Sequence, residues 1–323
     1  MSSLVTYNRL YSIDVGVIRD GSFTTFTSIE SPHHIEFKSQ EQIPTKGTSF
    51  NPARARLFNI GKDNIDFCSY KGASVVIRAG WEYDDGLRLT NDLMETVYIG
   101  DIIETYTEQE GGDVVTTLEL QEGWNHVVDQ FIDKPITIGQ GQTAREAFLT
   151  VSSSFPNIPM VINFESMNNQ IAIKPFETPP SLAASLNQLI KKFSKGDPTT
   201  NTWIRITWFF HKGRIYVVDR MPTAGAIRGF YRRHEIPRGR IKGNPRVGVD
   251  QTKLTKGFKN GGVKTIELKT YLIPEMSILD TIVLDPADYD DLGGTEYVVT
   301  EMSHHLEYDG DAWDTTIKAR IAE

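Results

Sequence analysis

The chain has 323 residues, 39% hydrophobic and 24% charged, with a net charge of −8. That composition excludes a disordered chain, and the length suits two or three domains. A single cysteine, Cys68, excludes an intrachain disulfide and a thiolate zinc site, and no apolar run approaches the roughly 20 residues that span a bilayer.

From the start, residues 1–16 lack a basic segment followed by an apolar one, so no secretory signal is expected. Cys68, set among Ile65, Phe67 and Tyr70, reads as a small buried hydrophobe rather than a nucleophile. Residues 73–82 are rich in β-formers and end at an Asp85-Gly86 turn. A second strand pattern runs over 95–107, and Gly111-Gly112 turns the chain into a third over 114–120.

Helical signals concentrate in the middle. Thr143 and Glu146 make a capping box, followed by an apolar face of Ala147, Phe148 and Val151. A stronger helix is predicted from about Ser181. Leu182, Leu186, Leu189, Ile190 and Phe193 fall at helical spacing, Lys191 and Lys192 suit the C-terminal end, and Gly196 closes it. Strand patterns over 202–210 and 214–219 then meet at a turn containing Lys212 and Gly213. Residues 226–248, rich in Gly, Arg and Pro, suit an extended loop or arm rather than a packed element. The chain ends on two strands, 295–308 and 313–321, joined by Asp309-Gly310-Asp311.

Charge is unevenly placed. Between Arg228 and Lys264 eleven basic residues face two acids, a local +9, leaving −17 on the rest. Such asymmetry concerns partners rather than fold. Arg228, Arg232, Arg233, Arg238, Arg240, Lys242 and Arg246 are therefore candidate protein-interface residues, since Arg pairs bidentately with carboxylates. Interleaved Phe230 and Tyr231 leave a nucleic-acid reading open.

The two β-rich blocks resemble each other. Residues 97–118 slide onto 296–317 without a gap, with identity at five of 22 positions: Tyr98/Tyr297, Glu108/Glu307, Gly111/Gly310, Thr116/Thr315 and Thr117/Thr316. Other constellations carry no chemistry. His304 and His305 of a strand point to opposite faces, so Glu301 and His305 alone cannot make a zinc site, and His33-His34 has the same fault. Asp288 and Asp290 open an EF-hand-like run, but Leu292 sits at a ligand position and Val299 replaces the closing Glu. Gly139 and Gly141 lack the third glycine of a dinucleotide fingerprint, and no phosphate loop or nucleophile elbow occurs. Acids are plentiful, yet nothing singles out a catalytic pair.

Several segments together resemble the baseplate hub proteins of contractile-tailed bacteriophages, related to the hub portion of type VI secretion spike proteins. They are Arg9-Leu10-Tyr11, residues 50–60, residues 71–81 and Val97–Asp101. In the last block they are Ile273-Pro274, Asp280–Val283, Tyr297–Val299 and Trp313–Thr316. Asp280 stands where a glycine is more usual. The resemblance implies two tube-like β-barrel domains per chain and a trimeric ring. That ring would adapt a six-fold tail tube to a three-fold spike around a channel for tape measure and DNA.

The expected fold is mainly β with a smaller α+β part. The expected domains are a first barrel over 1–124, an inserted α/β domain over 125–225, and a basic arm with a second barrel over 226–323. The expected function is a structural, non-enzymatic virion protein, assembled in the host cytoplasm, without cofactor, metal or catalytic residues. Its expected partners are two further copies of itself, tail tube, spike, other baseplate proteins and tape measure, with DNA only as passing cargo. A tail-associated cell-wall hydrolase and a nucleic-acid-binding module using the basic arm are the alternatives.

Overall fold

A computed structural model of the chain describes residues 7–17, 21–29, 32–44, 50–83, 94–125, 131–165, 170–193, 206–219, 231–250, 263–289 and 292–321. Its first block contains β1 (Tyr7–Val17), β2 (Ser22–Thr27), β3 (Ile35–Ser39), β4 (Glu41–Gln42), β5 (Pro52–Phe58), helix α1 (Lys62–Cys68), β6 (Ser74–Tyr83), β7 (Met94–Glu110) and β8 (Asp113–Gln121). Period-two alternation decides which face each strand buries. In β5, Ala53, Ala55 and Leu57 point into the core, while Arg54 and Arg56 point out and pair with Glu119, Glu36 and Glu110. Gly111, at φ +61, makes the tight turn between β7 and β8.

The middle block carries β9 (Ile136–Ile138), α2 (Ala144–Ser154), β10 (Met160–Asn163), β11 (Phe176–Thr178), α3 (Leu182–Phe193), β12 (Ile206–His211) and β13 (Arg214–Asp219). The capping box forms as read: Thr143 Oγ1 accepts from the Glu146 N–H, and the Glu146 carboxylate accepts from the Thr143 N–H at 2.8 Å. The apolar faces of both helices enclose a core with Trp208, Phe210 and Ile215. This block holds an echo the sequence reading missed. Lys134-Pro135 and Lys174-Pro175 stand 40 residues apart. Phe131 bridges to Ser181 before α3, Ile171 bridges to Thr143 before α2, and β9 pairs with β11.

The last block contains β14 (Arg233–Ile236), a 3-10 turn (Arg238–Arg240), β15 (Arg246–Asp250), β16 (Val263–Tyr271), β17 (Thr281–Leu284), β18 (Glu296–Glu307) and β19 (Trp313–Ile321). Three expectations are corrected here. First, the described residues form no closed barrel. One sheet of fourteen strands runs in the order β2-β1-β6-β7-β8-β5-β3-β18-β19-β16-β15, with β4, β14 and β17 attached to the side. The reason is β3. It does not close onto β2; it pairs on one side with β5 and on the other with β18, through Phe37 opposite Leu306. The sheet instead folds around two cores, one with Tyr11, Phe37 and Trp313, the other with Ile282, Met302 and Ile317.

Second, the gapless alignment of the two hairpins fails across the turn. Each hairpin has a bulge, between Ile102 and Glu104 in one and between Val299 and Glu301 in the other. The bulges oppose Glu119/Leu120 and Lys318/Ala319, so β8 matches β19 at an offset of 199. The first strands match two residues lower, because the second connection is longer by two.

Third, the part of the arm that is described is packed. Ile236 is buried, β14 runs parallel to β17, Ile241 bridges to Thr270, and β15 pairs with β16. A few apolar residues at alternating positions suffice, because the neighbouring strands supply the rest of the sheet. Residues 226–230 lie outside the described residues.

Candidate interface and a buried polar joint

The six basic candidates that are described are dispersed over the last block, from the residue before β14 to the start of β15. Arg228 lies outside the described residues. Arg233 pairs with Glu235 at 2.6 Å and Glu296 at 3.4 Å. Lys242 reaches Asp314 at 3.3 Å and sits over the Tyr271 ring. Both are thus committed within the chain. The Arg232 backbone N–H donates to Asp280, and that of Arg238 to Asp288. Their side chains, with those of Arg240 and Arg246, are exposed and have no charged partner among the described residues. Arg232, Arg238, Arg240 and Arg246 are thus exposed and uncommitted within the described residues.

Asp280 also explains itself. It is buried and accepts from the N–H groups of Arg232 and Ser277, with His234 Nε2 at 2.9 Å. A glycine there would leave these donors unmet.

A second constellation sits where the three blocks meet, and sequence reasoning did not find it. Glu41 and Glu122 are 0% exposed and His211 is 1% exposed. Pairing of β4 with β18 places Glu41; the end of β8 delivers Glu122; the all-buried strand β12 ends on His211. His211 Nδ1 lies 2.8 Å from Glu41 Oε2. Glu122 accepts from the Lys212 backbone N–H and from Asn51 Nδ2, each at 2.7 Å. Asn51 also donates to the Phe210 carbonyl, and Tyr98 donates to the Asn51 carbonyl, both at 2.8 Å. The Lys212 Nζ turns away to the Met276 and Pro274 carbonyls.

The electrostatics follow from burial. Burial pushes the Glu122 carboxyl well above the usual range, and the Glu41 charge adds to this. Burial acts the same way on Glu41, but the His211 imidazole outweighs it and holds Glu41 below the ordinary carboxylate value. Burial pulls Lys212 down, and takes His304 down to about 4. His304 Nδ1 meets Thr315 Oγ1 at 3.1 Å inside the sheet.

Elsewhere the readings of single residues stand on geometry. His305 pairs with Glu307 and Glu301 with Lys318, so the two do not converge. Cys68 is buried, and burial pushes its thiol up to about 12, far from a thiolate nucleophile. The carboxyl with the raised pKa, Glu122, is sealed inside the protein rather than lining a cleft, which puts it out of reach of a polymeric substrate. Among the described residues no helix is long and apolar enough to cross a membrane.

No protein-family model matches the chain, and no curated protein matches it. Solved structures do. A tail protein of Neisseria meningitidis aligns over 96% of both chains with a TM-score of 0.55 and 11% identity. The 43 kDa tail protein of prophage MuSo2 from Shewanella oneidensis aligns over 98% of this chain and all of its own, with a TM-score of 0.57 and 9% identity. An E. coli type VI secretion component, described as structurally similar to the T4 bacteriophage tail proteins gp27 and gp5, covers 92% of this chain and 76% of its own. Its TM-score is 0.53 and its identity 12%. The fold of this chain is therefore one shared by phage tail proteins and a gp27-like secretion component, the group its sequence resembles.

Proposed function

We propose that this chain is a structural baseplate hub of a phage tail, assembled as a trimeric ring around a channel. In this reading the ring joins a six-fold tail tube to a three-fold spike, and tape measure and DNA pass through it without chemistry. The observation that carries the reading is the near end-to-end match to two tail proteins. The two bulged hairpins support it, because a duplicated unit in a three-fold ring offers six similar surfaces. The sheet ends in two different edge strands, β2 and β15. Unlike edges suit head-to-tail contacts, which close into rings. The domain division at 1–124, 125–225 and 226–323 belongs to the same proposal, with the middle block as an insertion between the paired halves. Arg232, Arg238, Arg240 and Arg246 then serve docking onto acidic surface of neighbouring copies or baseplate proteins.

Light scattering behind size exclusion tests the assembly, with the chain alone and with its spike partner. A three-chain ring in either condition is expected; a monomer in both overturns the proposal. Reversing Arg238, Arg240 and Arg246 to Glu is expected to impair assembly while circular dichroism stays unchanged. If the variant assembles normally but loses affinity for DNA, the surface belongs to nucleic acid instead.

A further inference from the structure

We infer that Glu41, Glu122 and His211 form a divalent-cation site that fastens the middle block to the sheet. One ligand atom from each lies within 4.8 Å of the other two. Two carboxylate oxygens and one imidazole nitrogen are a donor set for zinc, manganese or ferrous iron rather than for calcium or magnesium. At bonds of about 2.0–2.2 Å, ligand atoms around such an ion stand roughly 3–3.5 Å apart, so the 2.8 Å His211–Glu41 pair would open slightly to admit it.

Two further observations point to a ligand. Neither ring nitrogen of His211 has a hydrogen-bond partner in the described protein, and neither has Glu41 Oε2. Nδ1 and Oε2 stand 2.8 Å apart as an ion pair, which leaves the buried Nε2 with no partner of any kind among the described residues.

The charge balance gives the second. Both oxygens of Glu122 accept from N–H donors, and each keeps a further lone pair. Two sealed carboxylates then face one imidazole, while the Lys212 ammonium is spent on carbonyl oxygens. Uncompensated buried charge is costly. A divalent ion would neutralise both as carboxylates. Because the three ligands come from β4, the end of β8 and β12, its binding free energy would add to the stability of the block arrangement.

The test uses the full chain. The protein is treated with EDTA, dialysed, and titrated calorimetrically with Zn2+ and, separately, Mn2+. Metal content before chelation is read by mass spectrometry. One equivalent per chain and a melting temperature that falls on chelation and recovers with metal are expected. His211→Gln is expected to weaken binding by more than the roughly 10–100-fold that loss of an outer-shell partner brings. Glu41→Gln gives a second variant should the first not fold, and His34→Gln, at a half-exposed histidine, is expected to leave binding unchanged. A wild-type chain that takes up neither ion and melts identically with EDTA overturns the inference, leaving an ion-paired joint without metal. Binding that survives undiminished in both ligand variants overturns it as well.

Discussion

The hairpins β7–β8 and β18–β19 share a bulge but end in opposite surroundings. Beyond Asp101, β8 is the one strand paired with β7 among the described residues, and the outer half of β7, including Ile103, Tyr106 and Glu110, is exposed. The outer half of β18 lies against β3, and Leu306 and Trp313 are fully enclosed. Arg9 completes this by donating to the carbonyls of Glu307, Tyr308 and Gly310 at the tip. The same cross-strand position tells the same story. Thr107 faces Thr116 in the first hairpin, and His304 faces Thr315 in the second, each pair at 3.1 Å. One hairpin is thus covered on its outer half, while in the other β8 is buried against β5 and the outer half of β7 faces solvent. The difference teaches that the covering strand, not the hairpin, decides whether a tip contributes stability or surface.

The largest effect should come from Trp313. Its ring fills the first core and its Nε1 donates to the Gly80 carbonyl at 3.2 Å. Trp313→Ala is expected to cost about 3–5 kcal/mol in denaturant titration; a cost below about 1 kcal/mol would break the comparison. Next comes pH. The folded His304 titrates near 4, below its unfolded value of 6.5, so the unfolded chain binds more protons between them. Its contribution is therefore present above 6.5 and lost as pH falls towards 4, on the order of 3 kcal/mol at most. Glu41, with its lowered pKa, acts in the same direction below 4.5, and Glu122, with its raised pKa, in the opposite direction above 4.5. The difference between wild type and His304→Thr, both treated with EDTA, isolates the histidine. The variant copies the Thr–Thr pair of the first hairpin, and its stability is expected to change less between pH 6.5 and 4.5. The smallest effect is expected at the free tip: Ile103→Ala or Tyr106→Ala should stay within about 0.5 kcal/mol of wild type. A loss of several kcal/mol there would mean the tip is structural after all.

Much of this fold is legible in local pattern. The β12–β13 hairpin, α3 and the capping box of α2 follow from residues a few positions apart. What is not legible depends on long separations. Nothing around Phe37 announces that it will face Leu306, and that pairing is what keeps the first block from closing on itself. The basic stretch misleads because its composition is that of a loop, while Ile236 and Ile241 find their neighbours on strands far along the chain. The polar joint is scattered over positions 41, 122 and 211. One cue was available: His211 ends a strand whose other residues are mostly large and apolar, an unusual place for a titratable group.

The shared ladder between β3 and β18 has a mechanical meaning. Two halves joined by a peptide linker can swing, and a load on one reaches the other late. Here the rows of backbone hydrogen bonds run on from one half to the other, and β4 adds a second attachment at Glu41 and Gln42. Bending the chain at this seam requires breaking several bonds at once rather than rotating a few backbone angles. A push on the far edge at β15 is handed strand by strand to β2, so the two halves should move together at this seam.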